Sequence, residues 1–138
     1  MTEINEIMRY VIERKIPASA IAGLRQEVGW NRMEKEFGNP QLKNLFEIGC
    51  YEDAELIGYL CVVSNNVTDA YIQDVMVHPK YQGNGIGTKL MEMAISHIKE
   101  MEIYMVSVIY GEESLRSFYE KFGFHTMLCG QMETREIE

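Results

Sequence analysis

Apolar and polar positions divide this chain into short segments of two periods. EINEIMRYVIE (Glu3–Glu13) suits a first strand. Pro17 fits the first turn of a helix, where its missing N–H costs nothing. Ile21, Leu24, Arg25 and Val28 then recur at helical spacing, and Gly29 ends the run. Asn31 followed by Glu34 resembles a capping box, which predicts a second helix from Arg32 towards Phe37. Strand-like runs follow at Leu45–Tyr51, Leu56–Ser64 and Ala70–Val77, with Asn65–Asn66 as a hairpin signal and Pro79 as a stop. The clearest helix comes next, with Ile86, Leu90, Met93, Ala94, Ile98 and Met101 on one face. Ile103–Tyr110 reads as a strand, and Ser114 caps a short helix whose inner face is Leu115, Phe118, Tyr119 and Phe122. Phe124–Cys129 and, more weakly, Gln131–Arg135 read as closing strands. The order β-α-α-β-β-β-α-β-α-β(-β) predicts an α/β (α+β) domain over 1–138. Its sheet is mixed, mostly antiparallel and of six to seven strands, with helices on both faces.

Composition narrows the function classes. With 138 residues and 46% apolar content the chain can bury one core. A net charge of −8 argues against nucleic acid and anionic membranes, and an acidic field attracts cationic partners if it does more than confer solubility. No apolar run approaches the ~20 residues of a membrane span. The start, MTEINEIMRYVIERK, has acidic residues where a signal peptide is positive, so a soluble, cytoplasmic protein is expected. Cys50, Cys61 and Cys129 form no CxxC, and His78, His97 and His125 have no metal-ligand spacing, so no metal is expected. The ten methionines are scattered and read as core filling.

The segment HPKYQGNGIGTKL sets Gly83, Gly85 and Gly87 at alternate positions between a strand and a helix. Unpaired N–H groups and the helix dipole suit such a junction to a pyrophosphate, although a purely structural turn explains the glycines too. A Walker loop would place Lys and then Ser/Thr directly after a Gly, whereas Gly87 is followed by Thr88 and then Lys89. A GxGxxG fingerprint would need Gly at position 88 or 90, which hold Thr88 and Leu90.

QGNGIGTKL resembles the Q/R-x-x-G-x-G/A signature of the GNAT superfamily of acetyl-CoA-dependent N-acetyltransferases, and FYEKFGF (Phe118–Phe124) is similar to the Tyr-Glu-Lys-x-Gly-Phe ending of that fold. The two motifs stand in the expected order, and the likeness is close from Tyr71 to Phe124. It implies that the backbone of Val75, Met76 and Val77 bonds the pantetheine and acetyl group. It also implies that the amides of Gly83, Asn84, Gly85, Ile86, Gly87 and Thr88 hold the coenzyme A pyrophosphate, that Gln82, the first position of the signature, belongs to the same cofactor site, and that Tyr119 lies near the thioester sulfur. Homodimers, sometimes through C-terminal strands, are a further implication, with MLCGQMETR as the candidate segment. Glu112 stands where the family often has Asn, and Ser107 and Tyr71 stand where some members carry a glutamate base.

The reaction so implied is attack of a neutral amine on a thioester. It requires a base for an amine with a pKa near ~10, a donor for the carbonyl oxygen and an acid for the sulfur. Tyr119 fits the acid by position, although its spacing alone also says core. Asp74 interrupts an apolar strand and is the candidate base, with a structural ion pair as the alternative. Alternation puts Gln73 on the opposite face unless a bulge intervenes. Trp30, the only tryptophan, with nearby carboxylates is a candidate amine contact or a core residue, and Glu112 and Glu113 invite the same reading. The acceptor is expected to be a small amine or a peptide N-terminus. The alternative function is a catalytically weak acyl-CoA-binding sensor or regulatory module, which binding without turnover on any amine would reveal.

Overall fold

A computed structural model describes residues 8–137. The elements in chain order are β1 (Met8–Glu13), α1 (Ala18–Glu27), α2 (Glu34–Phe37), β2 (Phe46–Glu52), β3 (Glu55–Ser64), β4 (Asp69–Val77), a 3-10 turn (Pro79–Tyr81), α3 (Ile86–Glu100), β5 (Met105–Val108), a second 3-10 turn (Glu113–Leu115) and α4 (Arg116–Glu120). The strands form one sheet in sequence order. All neighbours are antiparallel except β4 and β5, which run parallel. The mixed class and the element order match the expectation up to α4; Glu3–Ile7 of the expected first strand lie outside the described residues.

Both faces of the sheet are covered. On one face Ile86, Leu90, Met91, Ala94 and Ile98 of α3 pack against Ile48, Ile57, Leu60, Val62 and Ile72 of the sheet. On the other, Ile21 and Leu24 of α1 and Phe37 of α2 meet Leu56, Tyr59, Cys61 and Met76. The apolar stripe of α3 is wide enough to bury Met91, while Met101, at the end of the helix, is exposed. Gly58 leaves room for this helix on the sheet: a Cβ there would sit 2.9 Å from Ile86 Cγ2 and 3.3 Å from Leu90 Cδ1. The buried Glu47 carboxylate accepts from the Ile16 N–H and the Tyr59 hydroxyl, which ties the approach to α1 onto the sheet.

Three expectations are corrected. The sheet has five strands among the described residues, not six or seven. Phe124–Cys129 and Gln131–Arg135 form no strand, because a strand exists only where a neighbour completes its hydrogen bonds, and here Met127, Leu128 and Met132 face solvent. Asn31 does not cap α2: its Oδ1 accepts from Arg25 Nη2 at 2.9 Å, and α2 begins instead after Met33 in the left-handed conformation (φ 50). Ser114 does not cap α4; it lies inside the second 3-10 turn.

Candidate active site

The parallel pair β4–β5 is where the sheet opens. Its register runs from Asp69↔Met105 to Ile72↔Val108 and stops there, although β4 continues to Val77. The bulge that the sequence left open is present. Tyr59 pairs with Met76 and Cys61 with Gln73, so Asp74 and Val75 together face Leu60. Asp74 takes a positive φ of 56 to make it. Beyond the bulge, His78 N donates to Ile57 O at 2.8 Å. By alternation, Val75 and Val77 turn their own N–H and C=O away from β3, onto the edge that β5 has left. Gln82 Nε2 donates to Val77 O at 3.0 Å and fastens the following loop to that edge.

The loop delivers the chain to the N-terminus of α3. Gly83 (φ 84) and Gly85 (φ 81) hold left-handed conformations with nothing within 4 Å of a Cβ added at either. Gly85 is the N-cap and offers no side-chain acceptor, and the first turn of α3 contains no acidic residue. Main-chain N–H groups at the start of the helix therefore have no acceptor from a cap or first-turn side chain. A Cβ on Gly87 would lie 3.5 Å from Phe118 Cζ, so α4 closes over the start of α3. Asn84 Nδ2 bonds Tyr81 O at 3.0 Å, which makes its side chain part of the loop's own scaffold.

A cleft of about 570 Å³ lies at the splay, and its lining includes Trp30, Asp74, Val75, Glu112 and Tyr119. The structure thus brings together the sequence-predicted candidates from four separate segments. The Gln82–Thr88 loop does not line this cleft; β4 runs from the cleft to the loop through Val75, Met76 and Val77. Of these three, Met76 has its side chain buried against the α1 side and, by the same alternation, turns its N–H and C=O towards β3. Glu113 is drawn off into an ion pair with Arg116.

Tyr119 is 7% exposed and stacks on Tyr110, with ring centroids 4.8 Å apart and 12° between planes. Among the described residues its hydroxyl has no hydrogen-bond partner and is not fully buried, and the residue lines the cleft. Burial first, and the neighbouring Tyr110 second, push its pKa above the ordinary phenol value. Asp74 pairs with Arg25 at 3.3 Å, where the two side chains are 28% and 8% exposed. Burial raises the Asp74 pKa, and the Arg25 guanidinium opposes the rise. Trp30 is 42% exposed at the cleft, with the Arg25 guanidinium 5.3 Å from its ring.

Sequence reasoning missed Arg25 and Tyr110, which also line the cleft. Arg25 sat on an apolar helix face, and a buried guanidinium needs a partner, which was a usable signal. Among the described residues, no group of three or more His, Cys, Asp or Glu could hold a metal ion. Among the described residues no helix is long and apolar enough to cross a membrane.

The family model described as "Acetyltransferase (GNAT) family" matches residues 11–124. An uncharacterised N-acetyltransferase (ycf52-like) of Prochlorococcus marinus is 33% identical over 106 residues, which is 73% of this chain and 58% of that protein. An uncharacterised N-acetyltransferase (ycf52) of Pyropia yezoensis is 31% identical, over 73% of this chain and 60% of that protein. The chain thus spans no more than about three fifths of these curated relatives. Among solved structures, a GNAT-family acetyltransferase of Streptococcus pneumoniae superposes with a TM-score of 0.75 at 25% identity, covering 95% of this chain and 99% of that one. A probable acetyltransferase of methicillin-resistant Staphylococcus aureus gives 0.73 at 26% identity, covering 93% and 100%. The family match over most of the chain, on a fold with an opened β4–β5 pair and a glycine-led helix N-terminus, means that this protein belongs to the GNAT acetyltransferase family.

Proposed function

We propose that the chain acts as one catalytic domain over 1–138, an acetyl-CoA-dependent N-acetyltransferase whose acceptor is a primary amine of a small molecule or a peptide N-terminus. The observation that carries this reading is the continuous track from Tyr119 to the start of α3. The unladdered edge of β4 at Val75 and Val77 leads from the cleft to main-chain N–H groups that no acidic side chain blocks. Acetyl-CoA supplies an acetyl thioester and a diphosphate. The open β4 edge suits the amides of the pantetheine arm, and the Gly83–Thr88 turn, with free space at both left-handed glycines, suits the diphosphate.

The chain's own groups then divide the work. An N–H of the Val75–Val77 edge donates to the substrate carbonyl oxygen, where negative charge develops. The Tyr119 hydroxyl, kept protonated by burial, donates its proton towards the departing sulfur. Asp74 takes the amine proton directly or through one water. Arg25 holds that carboxylate in place and resists its protonation. Trp30, Glu112 and Asp74 give the acceptor side an aromatic, acidic lining, which favours a cationic amine. Incubation with acetyl-CoA and a panel of amines, with free thiol followed over time, tests the reading. Thiol release dependent on an amine supports it; coenzyme binding without release on any amine points to the sensor alternative.

A carboxylate base works only when ionised, and burial lifts Asp74 above the ordinary carboxylate value. The rate therefore falls as pH drops through this raised pKa. Asp74→Asn lowers kcat/KM by about 10²-fold and removes that acidic limb. A variant profile with the same limb and the same rate excludes Asp74 as the base.

We further propose a homodimer. Among the described residues β5 has a strand neighbour on one side only, and the segment after α4 exposes Met127, Leu128 and Met132. That segment can complete the β5 edge of a second copy and cover its own apolar side chains. Sedimentation equilibrium gives a dimer that Leu128→Glu dissociates; a wild-type monomer at tens of micromolar protein contradicts the assembly. The three cysteines are free, with Cys50 and Cys61 buried, which suits a reducing compartment such as the cytoplasm.

A further inference from the structure

We infer that Lys121 is a binding residue for the coenzyme: it supplies the side-chain cation for the diphosphate at the start of α3. The inference rests on the acetyl-CoA reading above. A chain of net charge −8 that holds a diphosphate needs positive charge placed locally, since its overall field opposes the ligand. The main-chain N–H groups of the α3 N-terminus contribute partial charge only.

Lys121 follows α4 directly, and its Nζ donates to Thr88 Oγ1, on the third residue of α3, at 2.9 Å. Its stem is steadied by two rings, with Nζ 4.7 Å from the Phe118 centroid and 5.3 Å from that of Phe122. Phe118 is also the ring that faces Gly87. The contacts that close α4 over α3 thus set an ammonium beside the glycine turn. Among the described residues Lys121 is in no ion pair, whereas Arg116 at the start of α4 is held by Glu113 and Glu120. Lys89, the residue after Thr88, sits over the Tyr10 ring on β1 instead. An ammonium has three donors, and Thr88 takes one. The other two are free for phosphate oxygens of a group seated on the Gly87 and Thr88 amides. Because the cation stands at the helix start, it serves the diphosphate and not the ribose 3′-phosphate.

Calorimetric titration of the wild type, Lys121→Met and Lys121→Arg with coenzyme A and with 3′-dephospho-coenzyme A tests this. Lys121→Met weakens both ligands by about tenfold, and by the same factor, as expected for loss of one charge-assisted contact. The dependence of log Kd on log salt becomes shallower, Lys121→Arg recovers most of the affinity, and thermal midpoints stay together. Unchanged affinity in Lys121→Met overturns the inference. So does a loss confined to coenzyme A with dephospho-coenzyme A unaffected, which assigns the lysine to the 3′-phosphate. A wild type that binds neither ligand removes the underlying acetyl-CoA reading, and the inference falls with it; normal wild-type binding with an indifferent Lys121→Met removes the inference alone.

Discussion

Tyr119→Phe lowers kcat by about 10²-fold and leaves the affinity for acetyl-CoA unchanged. Phenylalanine keeps the ring that stacks on Tyr110 and meets Phe118 edge-on at 4.9 Å, so the packing of α4 survives and only the hydroxyl is lost. Thiols ionise near ~8.5, so a thiolate leaves more readily than an amine and the loss sits at the lower end of the range for a general acid. An acid works in its protonated form, and burial together with Tyr110 raises the Tyr119 pKa. The wild-type rate therefore shows no basic limb from this group at or below the ordinary phenol value. Steady-state kinetics beside direct binding measurements separate the outcomes. A variant that turns over like the wild type removes Tyr119 from the chemistry and leaves it as a core residue.

The second large effect falls on stability. Arg25→Met destabilises the fold by about 3 kcal/mol, the low end for breaking a buried pair because Asp74 is partly exposed. The guanidinium joins three parts of the molecule. Its Nε donates to Asn31 O at 2.6 Å, Nη2 donates to Asn31 Oδ1, and Nη1 faces Asp74 on the β4 bulge. Its flat face lies near Trp30 and Phe37. Methionine fills the space but leaves Asp74 as an uncompensated carboxylate, with its pKa raised further. A carboxyl whose pKa is higher folded than unfolded binds protons more tightly in the fold. The deficit is therefore largest above the folded pKa and shrinks as pH falls through it. Chemical denaturation at several pH values measures this. Combining the change with Asp74→Asn recovers part of the loss, because the orphaned charge is gone. Strict additivity of the two substitutions contradicts the coupling.

These residues show how much a linear reading can see. The α3 stripe was legible because a fifteen-residue helix repeats its pattern several times. The glycine turn was legible because left-handed backbone at Gly83 and Gly85 leaves a compositional trace. The bulge at Asp74 was not, because one extra residue in a strand changes which face follows without changing composition. Asn31 was misread because its side chain serves Arg25, six positions back, and that partnership depends on the turn between α1 and α2. The segment after α4 has strand-like residues but no strand neighbour among the described residues, and pairing is settled by tertiary context. Tyr119 belonged to both readings at once, since it is packed in the core and also lines the cleft.

The central claim is that the open β4 edge and the glycine-led start of α3 form one continuous binding track for acetyl-CoA. Amide proton–nitrogen correlation spectra recorded during a titration with acetyl-CoA test it residue by residue. Saturable shifts concentrated at Val75, Val77 and Gly83–Thr88 are the predicted result. A folded protein whose amides there stay still, or shift only along the groove between Ile12 and α3, would contradict the account.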